Sequence, residues 1–232
     1  MKIKSKHQMS ETFTIGAILA IAGGYLDAYT YISRGQVFAN AQTGNIMLFS
    51  IYLASGEFLK ALSYIPPILA FVIGILLSEQ IKKRMDGGRL HWRQYVLILE
   101  LAVMILVSFL PMGTIDGIYY NTISNVLISF VCSLQVQSFR KIRGIVCATT
   151  MCTGNLRSAA EALSKYVISK DIQALHKAGK FSVMVLFFII GAVISTFITN
   201  VFMEKSVIFC GAAVTAAILI MFIEPEKNEK SA

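Results

Sequence analysis

Charged side chains are scarce in this chain: 15% of its 232 residues, against about 25% in an ordinary soluble domain. That excludes a water-facing surface over most of the molecule. Histidine occurs only at His7, His91 and His176, all in tails or loops, and neither H-E-x-x-H nor G-x-S-x-G is present. The zinc-peptidase and serine-hydrolase chemistries that need those spacings are excluded with them. Cys132, Cys147, Cys152 and Cys210 all sit in or beside apolar segments, which is not a disulfide framework. The C-x4-C spacing of Cys147 and Cys152 fits no standard zinc site, so the thiols read as small apolar fillers. No metal and no cofactor is expected.

What the chain does have is long uncharged stretches. Residues 181–201 (FSVMVLFFIIGAVISTFITNV) run for 21 residues without a charge, and residues 206–223 for another 18. About 20 apolar residues suffice for a helix to cross a hydrocarbon layer of ~30 Å. The chain is therefore an all-α integral membrane protein, read as a single membrane domain over residues 1–232. Hydropathy predicts six spans, at about 12–33, 61–79, 94–111, 117–138, 181–202 and 206–223. Pro66 and Pro67 fall in the first turns of the second span, where proline costs least, and Pro111 and Pro225 close the third and sixth. The basic start MKIKSKHQ before an apolar run resembles a secretory signal, and Ala20-Ile21-Ala22 resembles a cleavage site. The apolar character continues to Ile32 and has a counterpart in the second half, so this segment is expected to stay as a helix.

The two halves match in order. Thr43-Gly44-Asn45 recurs as Thr153-Gly154-Asn155, 110 residues on. FVIGILLS (71–78) recurs as FIIGAVIS (188–195), 117 residues on, and Pro111 recurs as Pro225. These matches predict two three-span repeats, about 12–111 and 117–225. Three spans is an odd number, so the second repeat must be inverted. Charge gives an independent test. With the N-terminus inside, 18 of the 21 Lys and Arg fall on the cytoplasmic side, leaving Arg34, Lys60 and Lys205 outside. Both termini are then cytoplasmic.

Each Thr-Gly-Asn precedes a helical stretch too short to span, 46–56 and 156–169. In the second, Arg157, Glu161 and Lys165 form one charged stripe opposite Leu156, Ala159, Ala160, Leu163, Tyr166 and Val167. An interfacial or re-entrant half-helix is expected, with Thr or Asn capping its N-terminus. Broken helices of transporters aim such positive ends at bound solutes. The candidate substrate-binding residues are Asp27, Gln42, Thr43, Gly44, Asn45, Gln137, Thr153, Gly154 and Asn155.

The segment GGYLDAYTYISRGQVFANAQTGN (23–45), with Gly24, Asp27 and the tripeptide, resembles the YoaK family of bacterial multi-pass membrane proteins. With the span layout and the second tripeptide, the resemblance covers about residues 12–223. It implies a fold and a place in the bacterial cytoplasmic membrane; as the family is a domain of unknown function, it implies no substrate and no catalytic residue.

Asp27 and Glu100 lie inside predicted spans, each roughly 8–9 Å deep at ~1.5 Å per residue. Charge at such depth marks a functional site by default, and both are candidates for proton coupling. The bland alternatives are a cap or a pair with Arg34 for Asp27, and a pair with Arg93 for Glu100. Gln137 takes the position of Asp27 in the second half. Tyr25, Tyr29 and Tyr31 belong either to an interfacial belt or to a pocket.

A secondary transporter or facilitator of a small polar solute follows best from these features. The alternatives are a channel or a non-transporting binding or scaffold protein. A membrane-embedded enzyme fits least, since the two carboxylates are an estimated ~10 Å or more apart in depth. The net charge of +8 is distributed as topology requires, so anionic lipid headgroups are the expected partners of the basic loops, and nucleic acid is not.

Overall fold

The computed structural model describes residues 9–85, 90–142 and 145–223. The basic N-terminal tail, Arg89, Arg143, Pro225 and the C-terminal lysines lie outside the described residues. Nine α-helices carry the described chain: α1 (Phe13–Ser33), α2 (Gln42–Ala54), α3 (Phe58–Leu62), α4 (Ile65–Met85), α5 (Trp92–Ser108), α6 (Tyr120–Ser138), α7 (Cys152–Ser169), α8 (Ile172–Phe202) and α9 (Val207–Ile223). Strands are confined to two hairpins of two-residue partners, β1 (Thr114–Ile115) with β2 (Ile118–Tyr119), and β3 (Lys141–Ile142) with β4 (Ile145–Val146).

Helix starts follow local chemistry. Thr12 accepts from the Ile15 amide before α1, and Asp171 accepts from the Gln173 amide before α8. His91 and Gln94 form a reciprocal capping box at α5. Pro66 and Pro67 sit in the first turn of α4, where no intrahelical donor is lost.

Among the described residues three helical segments are long and apolar enough to cross a membrane: Phe13–Ser33, Phe58–Met85 and Ile172–Phe222. The last takes in the expected fifth and sixth spans, joined through a 3-10 turn at Met203–Ser206. Helices α5 and α6 occupy the expected third and fourth spans but are shorter or more polar. Leu69, Leu76, Phe197, Val201 and Leu219 point outward from α4, α8 and α9. An apolar surface of that extent needs lipid rather than water around it.

The halves of the chain interlock. α1 lies against α8 and α9, α6 lies against α4 and α5, and α5 meets α9. Glycine makes the tightest crossing possible. A Cβ on Gly24 would stand 2.0 Å from the Phe188 carbonyl oxygen, and one on Gly191 would stand 2.0 Å from that of Ile21. The α1–α8 backbones thus touch at two points, as small-residue packing in membranes allows. α1 is the centre of the bundle, with Ile15, Leu19, Leu26 and Tyr29 fully buried.

Two arginines hold helix ends together. Arg34 is fully buried and donates to the carbonyls of Val107 (3.1 Å), Leu110 (3.0 Å) and Pro111 (2.8 Å), and to the Tyr29 hydroxyl (2.9 Å). The Leu110 and Pro111 carbonyls, just beyond α5, receive no backbone amide, whereas that of Val107 also accepts the Leu110 amide at 3.1 Å. Arg93 donates from Nε to the Ser138 carbonyl at the end of α6 and pairs with Glu11 at 3.4 Å. Arg34 therefore does not pair with Asp27, nor Arg93 with Glu100: both guanidiniums have helix ends to satisfy.

Candidate functional site

The loops before α2 and α7 are built alike. Asn45 donates to the Phe38 carbonyl and accepts the Phe38 amide, both at 2.8 Å. Asn155 donates to the Ala148 carbonyl at 2.6 Å, and its Oδ1 faces the Cys147 thiol at 3.5 Å. Burial pushes that thiol up to about 11, so it stays a neutral donor. Each asparagine thus ties down the residue seven before it. The expectation of a cap at Thr-Gly-Asn needs correcting. The tripeptide lies inside the first turn of each helix, the cap positions are Ala41 and Met151, and neither offers a side chain to the free amides. Asparagine turns back to the loop because two loop groups lie within its reach.

The two first turns meet at one cavity of about 730 Å³. Five residue pairs in matching register line it: Asn40 with Thr150, Ala41 with Met151, Gln42 with Cys152, Thr43 with Thr153, and Phe71 with Phe188. Gly154 joins the floor, and Asp27, Tyr31, Ile32, Phe38 and Thr196 join the walls. Tyr31 stacks on Phe38, whereas Tyr25 and Tyr29 are buried and donate to the carbonyls of Ser206 and Glu204. The cavity takes one tyrosine of the three.

Asp27 Oδ1 accepts the Asn40 amide at 2.6 Å, and the amides of Ala39 and Ala41 also point to this carboxylate. Three successive amides around one acid form an anion nest. The Oδ1 of Asn40 and the hydroxyl of Thr150 have no hydrogen-bond partner, although both residues are over nine-tenths buried.

Of the residues proposed from the sequence, Asp27, Gln42, Thr43, Thr153 and Gly154 line this cavity. Gly44, Asn45 and Asn155 do not; they shape the turns and loops behind it. Gln137 stands elsewhere, donating to Glu79 Oε1 at 2.7 Å in a second cavity of about 230 Å³. Lys82, Trp92, Arg93, Arg140 and Lys141 surround it, with Glu11 and Glu79. Glu100 lines neither of these cavities. It is fully buried between helices, both carboxyl oxygens without a hydrogen bond, near the thiols of Cys132 and Cys210. Asn40 and Thr150 were missed by the sequence reading. The one available signal was that they sit at the same distance before the two tripeptides. Among the described residues no His, Cys, Asp and Glu group is arranged to hold a metal ion.

On the second amphipathic helix, Arg157 pairs with Glu161 at 2.8 Å, while Lys165 reaches Asp171 at 3.5 Å. The face that packs against α8 is the small one, Asn155, Ala159 and Ala162; Leu156, Leu163 and Val167 are exposed. Small residues bring α7 close to α8, and the larger apolar ones are left for lipid.

Comparison with known proteins agrees with this picture of an apolar helical bundle. The chain is 23% identical over 152 residues to the UPF0700 transmembrane protein YoaK of Bacillus subtilis (strain 168), covering 65% of this chain and 67% of the relative. No solved structure matches. A family model described as "Protein of unknown function (DUF1275)" matches residues 15–221, and on that match the chain belongs to this family of membrane proteins, YoaK among them.

Proposed function

We propose that the protein is a secondary transporter or facilitator of a small polar solute, built as two inverted three-span repeats in the bacterial cytoplasmic membrane. Both termini are cytoplasmic in this reading, and the protein is not an enzyme. The reciprocal packing supports the repeat: α1 on α8 and α9 corresponds to α6 on α4 and α5.

One observation carries the reading. The two cavities correspond in register. Asp27, Ala28 and Tyr31 line the larger, and Gln137, Ser138 and Lys141, each 110 residues on, line the smaller. Thr196 in the larger answers Glu79, 117 residues earlier, in the smaller. The two half-helix starts line the larger. Two cavities related at these four positions and unequal in volume, about 730 and 230 Å³, support a reading of alternating access. In this reading the larger opens on the outer side and the smaller on the inner side, where Gln137 bonds Glu79. Asp27 in the outer vestibule and Glu100 in the bundle are the candidate carriers of a coupled proton. The basic inner loops sit among anionic headgroups.

The test is a metabolite panel screened by thermal shift on purified protein, since a ligand of the native state raises its stability. Each hit is then assayed for flux in proteoliposomes. Flux should be saturable, and Asp27→Asn should abolish its proton coupling while the protein stays folded. Tight binding without flux in either direction would instead make this a binding or scaffold protein, and unsaturable ion conductance would make it a channel.

A further inference from the structure

We infer that the solute carries a carboxylate on a short apolar body, and that its carboxylate sits between the first turns of α2 and α7. The inference rests on the reading of the larger cavity as the solute site. Both helices begin at the cavity floor without a side-chain cap. α7 presents the free amides of Cys152, Thr153 and Gly154 to this space, and α2 that of Thr43, since Gln42 and Gly44 donate to the Asn40 and Ala41 carbonyls. Two converging positive ends attract an anion more strongly than either does alone.

Among the described residues Asp27 is the one acid lining the cavity, and the amides of residues 39–41, ahead of α2, already surround its carboxylate. Among the described residues no acid is hydrogen-bonded to the first turns beyond, Gln42 to Gly44 and Cys152 to Gly154, although Asp27 is near enough to act on the Cys152 thiol. In the second half even the nest acid is missing, because Gln137 takes its register and turns to Glu79. The protein therefore holds a carboxylate against one loop and leaves the equivalent position by α7 without one.

The hydroxyls point to the same chemistry. Thr43 and Thr153 face the cavity from the two sides, and Thr150 lines it with its hydroxyl unpartnered at 5% residue exposure. Its methyl group is seated on Gly23, where a Cβ would stand 2.3 Å away. A buried hydroxyl without a partner is costly, and a ligand oxygen would supply one. Opposite the floor the wall is apolar and aromatic, with Ile32, Phe38, Phe71 and Phe188. It suits a hydrocarbon body of a few carbons and offers a second charged group no partner but Asp27. The smaller cavity continues the theme, since Lys82, Arg93, Arg140 and Lys141 outnumber Glu11 and Glu79 there.

The experiment uses the full chain in detergent and four probes of similar size: butyrate, 2-aminobutyrate, butyramide and butylamine. Butyrate, 2-aminobutyrate or both should raise the melting temperature in a saturable way, and butyramide and butylamine should not. Thr153→Asp places an acid in the first turn of α7 and should weaken that binding at least tenfold without loss of thermal stability. Thr153→Asn, without the charge, should bind within a few fold of wild type. Binding of butyramide as tight as that of butyrate, or of butylamine alone, would overturn the carboxylate while keeping the cavity as a solute site. Butyrate binding indifferent to Thr153→Asp would overturn its position. If none of the four binds, the inference fails, and the proposed function then stands or falls on the wider metabolite panel.

Discussion

Arg34 offers the sharpest test of how this bundle is held together. Its guanidinium is fully buried and spans four acceptors, three of them carbonyls at the end of α5 and just beyond it. Arg34→Met keeps the apolar stem and removes every donor. Val107 keeps the Leu110 amide, so the carbonyls of Leu110 and Pro111 are left unpaired; at about 1–2 kcal/mol each they cost about 2–4 kcal/mol. That is a large part of a total stability of about 5–15 kcal/mol. At about 2–4 °C per kcal/mol for a chain of this length, the melting temperature should fall by at least about 4 °C. Arg34→Lys, with a single ammonium, should recover part of the loss. Thermal melts of the three proteins in the same detergent, followed by far-ultraviolet circular dichroism, would give the order directly. Asp27→Asn combined with Arg34→Met should be additive to about 0.5 kcal/mol, since the two side chains use separate partners. An Arg34→Met variant that melts with the wild type would refute the reasoning, and strong coupling to Asp27 would restore the ion pair that the sequence allowed.

Other consequences follow from the same geometry. Asn45→Ala and Asn155→Ala should each cost about 1–3 kcal/mol and speed amide exchange in the loops before α2 and α7; Asn45, with three bonds, should matter more. Unchanged exchange in both loops would show that the asparagines are not what fixes them. Gly24→Val should drive α1 from α8 and abolish a folded fraction on size-exclusion chromatography, because its Cβ would strike the Phe188 carbonyl. Gly154→Ala meets nothing within 4 Å and should keep or raise stability by up to about 1 kcal/mol. Glu100→Met replaces a buried carboxyl without hydrogen bonds by a side chain of similar volume and should stabilise the fold by about 1–4 kcal/mol. If Glu100→Met instead lowers the melting temperature, Glu100 has a partner in the folded protein.

Much of the helical layout was legible because it rests on local chemistry. Runs such as 181–201 are too apolar to be anything but helix in lipid, and Pro66-Pro67 marks a helix start wherever it falls. The site was legible only in outline. Thr-Gly-Asn pointed to the right turns, but the roles within it were misassigned: threonine faces the cavity, while asparagine ties the loop. That division depends on what stands seven residues earlier in space, which spacing alone does not give. Asn40 and Thr150 carry no sequence signature of function, since they matter only through their burial beside a cavity. Gln137 illustrates the reverse case, a residue matched in register to Asp27 but turned to Glu79 on a neighbouring helix.

Sequence by itself determined that this is an apolar helical protein with a polar tripeptide used twice, because hydrophobic length and internal similarity are properties of the chain. Tertiary structure alone decided which polar groups meet. The carbonyl partners of Arg34 lie more than 70 residues away, at the end of α5 and just beyond it, and the first turns of α2 and α7 share one cavity only because α1 and α8 cross at their glycines. Those encounters are set by packing between helices distant in sequence, where a single Cβ decides whether two backbones can touch.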